Sequence, residues 1–524
     1  MFARATPALP LSLATFGAAI AGVTNAAAFP GLGWWPLVFV GTPLLLVCLV
    51  GRRFWGACLV GLIGGFAFWG SHIFWLTVYL GLVPWLALAG LQSVFFALGC
   101  AIIALAWRFS RGSRSATMRY GVTPAAIAGL WLLRETITSN WPYGGFSWGR
   151  LAFSQSEGPF AHLVAWVGIS GLSFLIVWVS ALIVQVVRSV AGESGVRSAG
   201  EQALSSRARR GIRNLLPVAL LAAMAFLPVF AVATSGTARI AAVQGNADAG
   251  LFAKYVPGQI LQDHLAATAP LFGQKVDLVV WPENSADLNP LLSGYSRSAL
   301  DTVSSKLSAP VIAGTITAKG DQTFNSLLLW QAGAGAIAQY DKIHPVPFAE
   351  YVPDRAFWYP LAPDLLSLVP RDYTIGTRPN VFDLGAIRAG VAICFDIVDD
   401  NLIRQMVAGG ANIIVAPTNN ADFGHTDESV QQLAIVRLRA IESGRSVVNA
   451  STVGTSAIID PSGKTVAQLP TFKAGTMVED VPLSTTTTPA TAIGLPLELT
   501  LCAFALAWLI VAAFAARRQE NHRG

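Results

Sequence analysis

Charge is what this 524-residue chain has least of: 12% of its residues are Asp, Glu, Lys or Arg, against about 25% in an ordinary soluble domain. With 53% of the residues hydrophobic, most of the length cannot be water-soluble. Lysine is missing altogether outside residues 238–482, where every basic residue is an arginine. Cysteine is scarce as well. The five present form no Cys-X-X-Cys pair and the six histidines do not cluster, so no metal site is expected, and no cofactor. Cys48, Cys58, Cys100 and Cys502 lie inside apolar runs, where a thiol is usually a small buried hydrophobe. Cys394 is the one cysteine of the polar stretch and must be explained singly.

What is abundant is membrane-length apolar sequence. Seven runs precede the polar stretch, at 11–29, 34–50, 54–76, 79–107, 122–133, 161–187 and 215–233, and one follows it at 492–515. Most approach or exceed the roughly 20 residues that cross a bilayer as a helix. The fifth has the shortest clean core. Threading eight spans places 16 of the 18 arginines outside 238–482 on one side, with only Arg134 and Arg150 on the other. The positive-inside rule then puts both ends in the cytoplasm and the polar domain outside. The formal charge of +6 hides this division, because residues 238–482 carry 17 Lys+Arg against 23 Asp+Glu. A nucleic-acid partner is therefore unnecessary to explain the basic balance.

The expected organisation is a seven-helix membrane domain over 1–237, a polar domain over 238–482, and a last membrane helix with its tail over 483–524. In the polar domain, short β-rich runs at 239–243, 276–281, 310–316, 326–330, 336–340, 387–394, 413–416, 446–450 and 456–459 alternate with helical stretches at 258–271, 296–307, 401–407 and 429–443. Val430, Leu433, Ala434, Leu438 and Ile441 in the last of these form one apolar stripe, the spacing of a helix packed on a sheet. This is an α/β layered pattern. The longest irregular stretch, 345–380, is rich in proline and in aromatics such as Phe348, Phe357 and Trp358. A loop of that length in a compact domain usually has a function.

Three residues stand where chemistry would sit. Cys394 ends the apolar strand pattern Gly390 to Ile393, and a thiol becomes a nucleophile as thiolate, which a nearby cation or base promotes. Glu283, in Trp281-Pro-Glu-Asn284, suits proton transfer. Lys342, in Tyr340-Asp-Lys-Ile-His344, suits stabilisation of an oxyanion. Each has a bland alternative: a lone cysteine is more often core, Glu283 could cap a loop, and Lys342 could pair with Asp341. Their joint occurrence at strand ends outweighs the three taken separately.

Trp281-Pro-Glu-Asn284, Tyr340-Asp-Lys-Ile-His344 with Val346-Pro-Phe-Ala-Glu-Tyr-Val-Pro353, and Ala392-Ile-Cys-Phe-Asp396 resemble the nitrilase superfamily. Its triad is Glu, Lys and Cys on an αββα sandwich. With eight spans around such a domain, the chain resembles the apolipoprotein N-acyltransferases, the membrane branch of that superfamily; Asn140-Trp-Pro-Tyr-Gly-Gly-Phe-Ser-Trp-Gly149 resembles their external arm. The resemblance implies Glu283 as general base, Lys342 as oxyanion cation and Cys394 as nucleophile, with Glu350 and Asn325 in support. It further implies Phe395, Asp396, Phe423, Phe357, Trp358 and Trp148 as substrate-binding residues. Two positions depart from the family pattern: Phe395-Asp396 stands for Tyr-Glu, and Asp422 for a Trp.

The implied reaction moves an acyl chain from a membrane phospholipid, through a Cys394 thioester, to the α-amine of the N-terminal S-diacylglyceryl cysteine of an apolipoprotein. A monomer embedded in the membrane is expected to carry it out. The rivals are a membrane-tethered amidase, for which one anchor would suffice, and a non-catalytic lipid transporter or scaffold. Transport paths usually carry intramembrane acids and bases. Here His72, His162 and Glu498 are the few candidates, and packing or interface roles suit them better.

Overall fold

The computed structural model describes residues 7–110, 115–193, 203–250, 253–369 and 371–521. Of the arginines in the charge count, Arg4, Arg111, Arg114, Arg197 and Arg523 lie outside the described residues. The chain separates into two compact units. One holds the residues up to Thr77, Gly81–Val229 and everything from Ile493 onward; the other holds Val78–Leu80 and Phe230–Ala492.

The first unit is helical: α1 (Leu11–Ala27), α2 (Val38–Leu49), α3 (Phe54–His72), the start of the short α4 (Leu76–Leu80), whose last three residues group with the other unit, α5 (Leu82–Phe109), α6 (Thr123–Asn140), α7 (Val164–Glu193) and α8 (Ala203–Phe226). The apolar run at 79–107 is broken at Gly81, whose φ of 81° separates α4 from α5. Among the described residues, four helices are long and apolar enough to cross a membrane: α3, α5, Ala161–Val190 and the final helix over Pro489–Arg518. Leu11–Ala27, Trp35–Leu49 and Leu215–Phe226 are apolar but shorter. The fifth run becomes α6, which extends past it through Arg134 and Glu135 to Asn140.

Large apolar side chains face outward from these helices, with Trp55 80% and Phe226 86% exposed. Such a surface is unfavourable in water and ordinary against lipid. Inside, small residues let backbones approach: a Cβ on Gly129 would come within 2.7 Å of the Leu501 carbonyl oxygen. Arg134 and Arg150 are both largely buried. Arg134 lies 3.5 Å from Glu135 and over the rings of Phe96 and Trp131. Arg150 donates to the Ser170 hydroxyl, which in turn donates to Glu498 at 2.7 Å, and Thr136 donates to the other oxygen of that carboxylate. Glu135, which nothing in the sequence singles out, also accepts from Trp131 Nε1 at 2.8 Å.

The second unit contains two six-stranded sheets. In chain order its elements are β1 (Gly236–Gln244), α9 (Gln259–Thr268), β2 (Leu278–Val280), α10 (Gly294–Leu307), β3 (Val311–Lys319), β4 (Gln322–Gln331), β5 (Gly335–Asp341), the four-residue α11 (Arg355–Trp358) and α12 (Pro363–Leu366), and β6 (Val381–Leu384). There follow β7 (Ile387–Val391), α13 (Asp400–Ala408), β8 (Ile413–Thr418), α14 (Glu428–Ser443), β9 (Ser446–Ser451), β10 (Ala457–Ile459), β11 (Thr465–Gln468) and β12 (Gly475–Leu483), before α15 (Pro489–Asn521). The sheet orders are β12-β1-β2-β3-β4-β5 and β11-β10-β9-β8-β7-β6. In β1, Ile240 and Ala242 point into the core between the sheets, meeting Ile387, Val391, Val415 and Val448 from the other sheet. Ala241 and Val243 point the opposite way, onto Leu261 of α9 and Leu300 and Val303 of α10. This is the period-2 alternation of a sheet covered on both faces, and α13 and α14 cover the second sheet in the same manner.

Three strands lie outside the nine expected from the sequence: β6, β11 and β12. All three are sheet edges, where one side of a strand need not be buried and charge and proline are tolerated. β12 illustrates it, pairing with β1 over its full length while carrying Glu479, Asp480 and Pro482. Two further corrections concern the site. The strand expected to reach Cys394 stops at Val391. Val430 is 36% exposed, and α14 is otherwise buried nearly all round, including Gln431, Gln432 and Arg439.

Candidate active site

Glu283, Lys342 and Cys394 each follow a strand by a few residues: β2, β5 and β7 in turn. Beyond β2, Trp281 is buried against the outer helices and anchored by its Nε1–H to Thr268 at 3.0 Å. The next turn places Glu283 beside β3, where Gly314 N–H donates to the Pro282 carbonyl. A Cβ on Gly314 would sit 2.7 Å from the Glu283 Cα, so no other residue fits there. At the end of β5, Asp341 is tied down by Ser326 and Arg378, and the N–H of the next residue, Lys342, donates to the Asn325 carbonyl at 2.8 Å. The lysine side chain is thereby aimed inward.

The four polar groups converge. Glu283 Oε1 accepts from Asn325 Nδ2 at 2.7 Å and Lys342 Nζ at 3.2 Å, while its Oε2 accepts from the Asn419 N–H at 2.8 Å. Lys342 Nζ also lies 2.8 Å from Glu350 Oε2. Asn325 Nδ2 bridges the two glutamates, reaching Glu350 Oε1 at 2.9 Å. Lys342 is 2% exposed and Glu283 4%. Burial alone would lower the lysine's pKa, but the two carboxylates outweigh it and hold the ammonium well above its ordinary value. Burial raises Glu283, Lys342 opposing and Glu350 adding to the rise.

Cys394 has a φ of +50°, a backbone region that costs a residue with a Cβ roughly 1–3 kcal/mol. It opens a 3-10 turn over Cys394–Val398. Asp396 holds the turn: one carboxylate oxygen accepts from the Ile393 N–H at 3.0 Å and the Tyr340 hydroxyl at 2.9 Å, the other from the His344 N–H at 2.9 Å. Asp396, expected to bind substrate, is fully buried beneath the turn. Burial pushes the Cys394 thiol up to about 12, Glu283 adding to the rise and Lys342 opposing it. At rest the Cys394 side chain is therefore a thiol, which would have to lose its proton to a base in order to act as a nucleophile.

The sequence gives no sign of a second polar group around the sulfur. Gln432 Nε2 lies 3.6 Å from Cys394 Sγ. Gln432 Oε1 accepts from the Thr418 hydroxyl at 3.0 Å and Asn420 Nδ2 at 2.9 Å, and Asn420 Nδ2 also reaches Glu428 Oε2 at 2.8 Å. Burial raises the Glu428 carboxyl to about 8, so at neutral pH it is mainly protonated and adds little negative charge beside the thiol. A glutamine on a helix is ordinarily a surface residue, and no spacing rule marks one that faces a thiol.

The other expected substrate-binding residues scatter. Phe395 is half-buried beside Cys394. Phe423 is half-buried with its ring 5.5 Å from that of Tyr79, part of the short Val78–Leu80 segment that groups with this unit. Phe357 is 64% exposed, whereas Trp358 packs edge-on against Phe348 above a small cluster of Val352, Leu366 and Val369. Trp148 is a residue of the helical unit, 3% exposed and packed on Trp75 and Phe146. Its burial is that of a packing residue.

Residues 239–490 match the carbon-nitrogen hydrolase family, and residues 21–182 match the apolipoprotein N-acyltransferase N-terminal domain. The chain is 30% identical to an apolipoprotein N-acyltransferase of Pseudomonas aeruginosa, covering 88% of each. It is 29% identical to that of Mycolicibacterium smegmatis, covering 96% of this chain and 85% of the relative. Among solved structures, an amidase from Nesterenkonia sp. aligns at 19% identity with a TM-score of 0.37, covering 49% of this chain and 94% of the amidase.

Proposed function

The chain belongs to the apolipoprotein N-acyltransferase family, and from that premise we propose that Cys394 carries a fatty acyl group from a membrane phospholipid to the α-amine of a lipoprotein's N-terminal S-diacylglyceryl cysteine. The observation that carries the reading is the Glu283–Lys342–Glu350 cluster, buried at Glu283 and Lys342 and tied together by Asn325, in the same unit as a single strained thiol.

Glu283 takes the Cys394 proton as the sulfur attacks the ester carbonyl. Lys342 faces the oxyanion that forms, and Glu350 and Asn325 hold the lysine and the base in place. Collapse breaks the ester bond; Glu283 returns its proton to the departing lysophospholipid oxygen and a thioester remains. The lipoprotein amine then attacks that thioester, losing a proton to Glu283. Collapse forms the amide and expels the Cys394 sulfur, which takes the proton back. No metal or cofactor enters the balance.

Both substrates are lipids, which accounts for helices well beyond a single anchor and disfavours a tethered amidase acting on a soluble amide. The proposed topology has eight crossings, α1, α2, α3, α5, α6, α7, α8 and α15, with the catalytic domain outside a bacterial plasma membrane and the enzyme acting as a monomer. The burial of Arg134 and Arg150 supports this orientation, since neither behaves as a loop charge. A reporter fused after Arg518 is expected to show cytoplasmic activity; activity characteristic of an external reporter there contradicts the topology.

The segment at 345–380 supplies the proposed contact with lipid. Phe357 and Leu361 are exposed and free to meet a bilayer, whereas Trp358 is part of the packing beneath them. Phe357→Ser combined with Leu361→Ser should slow acylation from phospholipid in vesicles several-fold and leave acylation by a short soluble ester unchanged. Equal loss on both substrates would make these residues structural. The function as a whole is tested by mass spectrometry of a lipoprotein N-terminus in cells with and without this chain. The N-acyl group should appear only with it, and an unchanged N-terminus in its absence overturns the reading.

A further inference from the structure

We propose that Gln432 is a further catalytic residue, a hydrogen-bond donor to the Cys394 sulfur that stabilises its negative charge in both halves of the reaction. The inference rests on Cys394 being the nucleophile, as proposed above.

The direction of the contact follows from the network behind it. The Gly454 N–H can only donate, and it donates to Ser451 Oγ at 2.9 Å. The Ser451 hydroxyl proton goes to Asn420 Oδ1 at 2.6 Å. That turns Asn420 Nδ2 toward Gln432 Oε1 and Glu428 Oε2. Gln432 Oε1 then accepts from Asn420 Nδ2 and lies 3.0 Å from the Thr418 hydroxyl, which also reaches the Cys394 sulfur, and turning the amide over would set its N–H groups against the Asn420 donor. Its Nε2 is left facing Sγ at 3.6 Å, an ordinary separation for a donor to sulfur. Every member is buried: Thr418, Asn420, Gln432, Glu428 and Ser451 are each at most 4% exposed. A fully connected buried network of this kind fixes one orientation and is costly to disturb.

The chemistry needs such a donor. Lys342 is engaged by Glu283 and Glu350 and has the carbonyl oxygen to stabilise, so the sulfur requires separate help when it becomes anionic. In acylation the donor favours thiolate character as the proton leaves for Glu283. In deacylation the bond between acyl carbon and Sγ breaks with its electron pair on sulfur, and the same N–H stabilises the leaving thiolate. The charged or titratable groups around the sulfur are Glu283 and Lys342 from beyond the strand ends and Glu428 on α14, with Asp396 beneath the turn and Glu350, in the segment after β5, acting on Lys342. Gln432 does not titrate, so the hydrogen bond it donates carries no pH dependence of its own.

Gln432→Met in the full-length protein keeps the length of the side chain and removes the donor without adding charge. Alkylation of Cys394 by iodoacetamide at one fixed alkaline pH below the thiol's midpoint, followed by mass spectrometry of its peptide, should slow about 10-fold, which reads as a midpoint moved upward by about one unit. Acylation and deacylation in single turnover should each slow about 10- to 10²-fold, the scale of a hydrogen bond to a charged group. Gln432→Glu, isosteric with the amide and still able to accept from Thr418 and Asn420, should shift the midpoint further, because a carboxylate faces the sulfur. It also decides the matter if the methionine variant does not fold. A Gln432→Met midpoint and single-turnover rates coincident with wild type overturn the inference, as does an unshifted Gln432→Glu. Failure of the wild-type thiol to react at all, by contrast, counts against Cys394 itself as the nucleophile.

Discussion

Replacing Cys394 with alanine should abolish acyl transfer, with a fall of about 10⁶-fold, the scale on which loss of a covalent nucleophile acts elsewhere, while the protein remains folded in the membrane. The other four thiols cannot substitute. Cys48, Cys58, Cys100 and Cys502 are residues of the helical unit, with no Glu–Lys pair described beside any of them. The fold has little reason to resent the change, since Asp396 holds the turn through three hydrogen bonds that do not involve the thiol. Cys394→Ser should be nearly as inactive, because a hydroxyl in the same buried position is a far weaker nucleophile without a stronger base. Single-turnover acylation from labelled phospholipid measures the loss. Label retained by the alanine variant at the wild-type rate would sink the assignment.

Lys342→Met should produce the second-largest loss. Removing one preorganised donor from an oxyanion typically costs about 10²- to 10³-fold, and here the substitution also strips the buried Glu283 and the half-buried Glu350 of their shared cation. Breaking one side of a buried ion pair typically costs about 3–5 kcal/mol, so the thermal midpoint should drop as well. The pH profile separates these effects. Glu283 must be ionised to accept a proton, and burial already holds its pKa above the ordinary carboxylate value, with Lys342 opposing. Without that opposition the pKa climbs further. The rate of the variant should therefore rise with pH along a limb displaced to higher pH than in wild type. A near-normal rate and an undisplaced limb would leave the lysine a structural role only.

The site was legible because its residues contradict their surroundings. A glutamate after a tryptophan and proline, a lysine closing an alternating strand, and a lone thiol ending an apolar run are each anomalous by type, and the fold brings Glu283 and Lys342 within hydrogen-bond reach. The interior strands were legible for a similar reason: buried on both faces, they read as dense Val and Ile runs. What escaped was whatever looks ordinary. The edge strands β6, β11 and β12 carry polar residues because an edge allows them. Gln432 looks like the solvent face of an amphipathic helix and is 2% exposed, since α14 is enclosed on nearly every side. Asp396 and Trp148 were legible as notable residues but not for what they touch. The carboxylate braces the Cys394 turn from below, and the indole packs within the helical unit, and neither fact is set by local sequence.

The central claim is that the acyl group rests on Cys394 between donor and acceptor. It is tested most directly by incubating the full-length protein with phospholipid vesicles, digesting it, and weighing the peptide that contains Cys394 before and after adding a diacylglyceryl-cysteinyl peptide. The predicted result is a gain of one fatty acyl mass, labile to hydroxylamine, that disappears from Cys394 as the same acyl appears in amide linkage on the added peptide. An N-acylated product formed while the Cys394 peptide stays unmodified at every time, or an acyl group that remains on Cys394 in the presence of the acceptor, would contradict it.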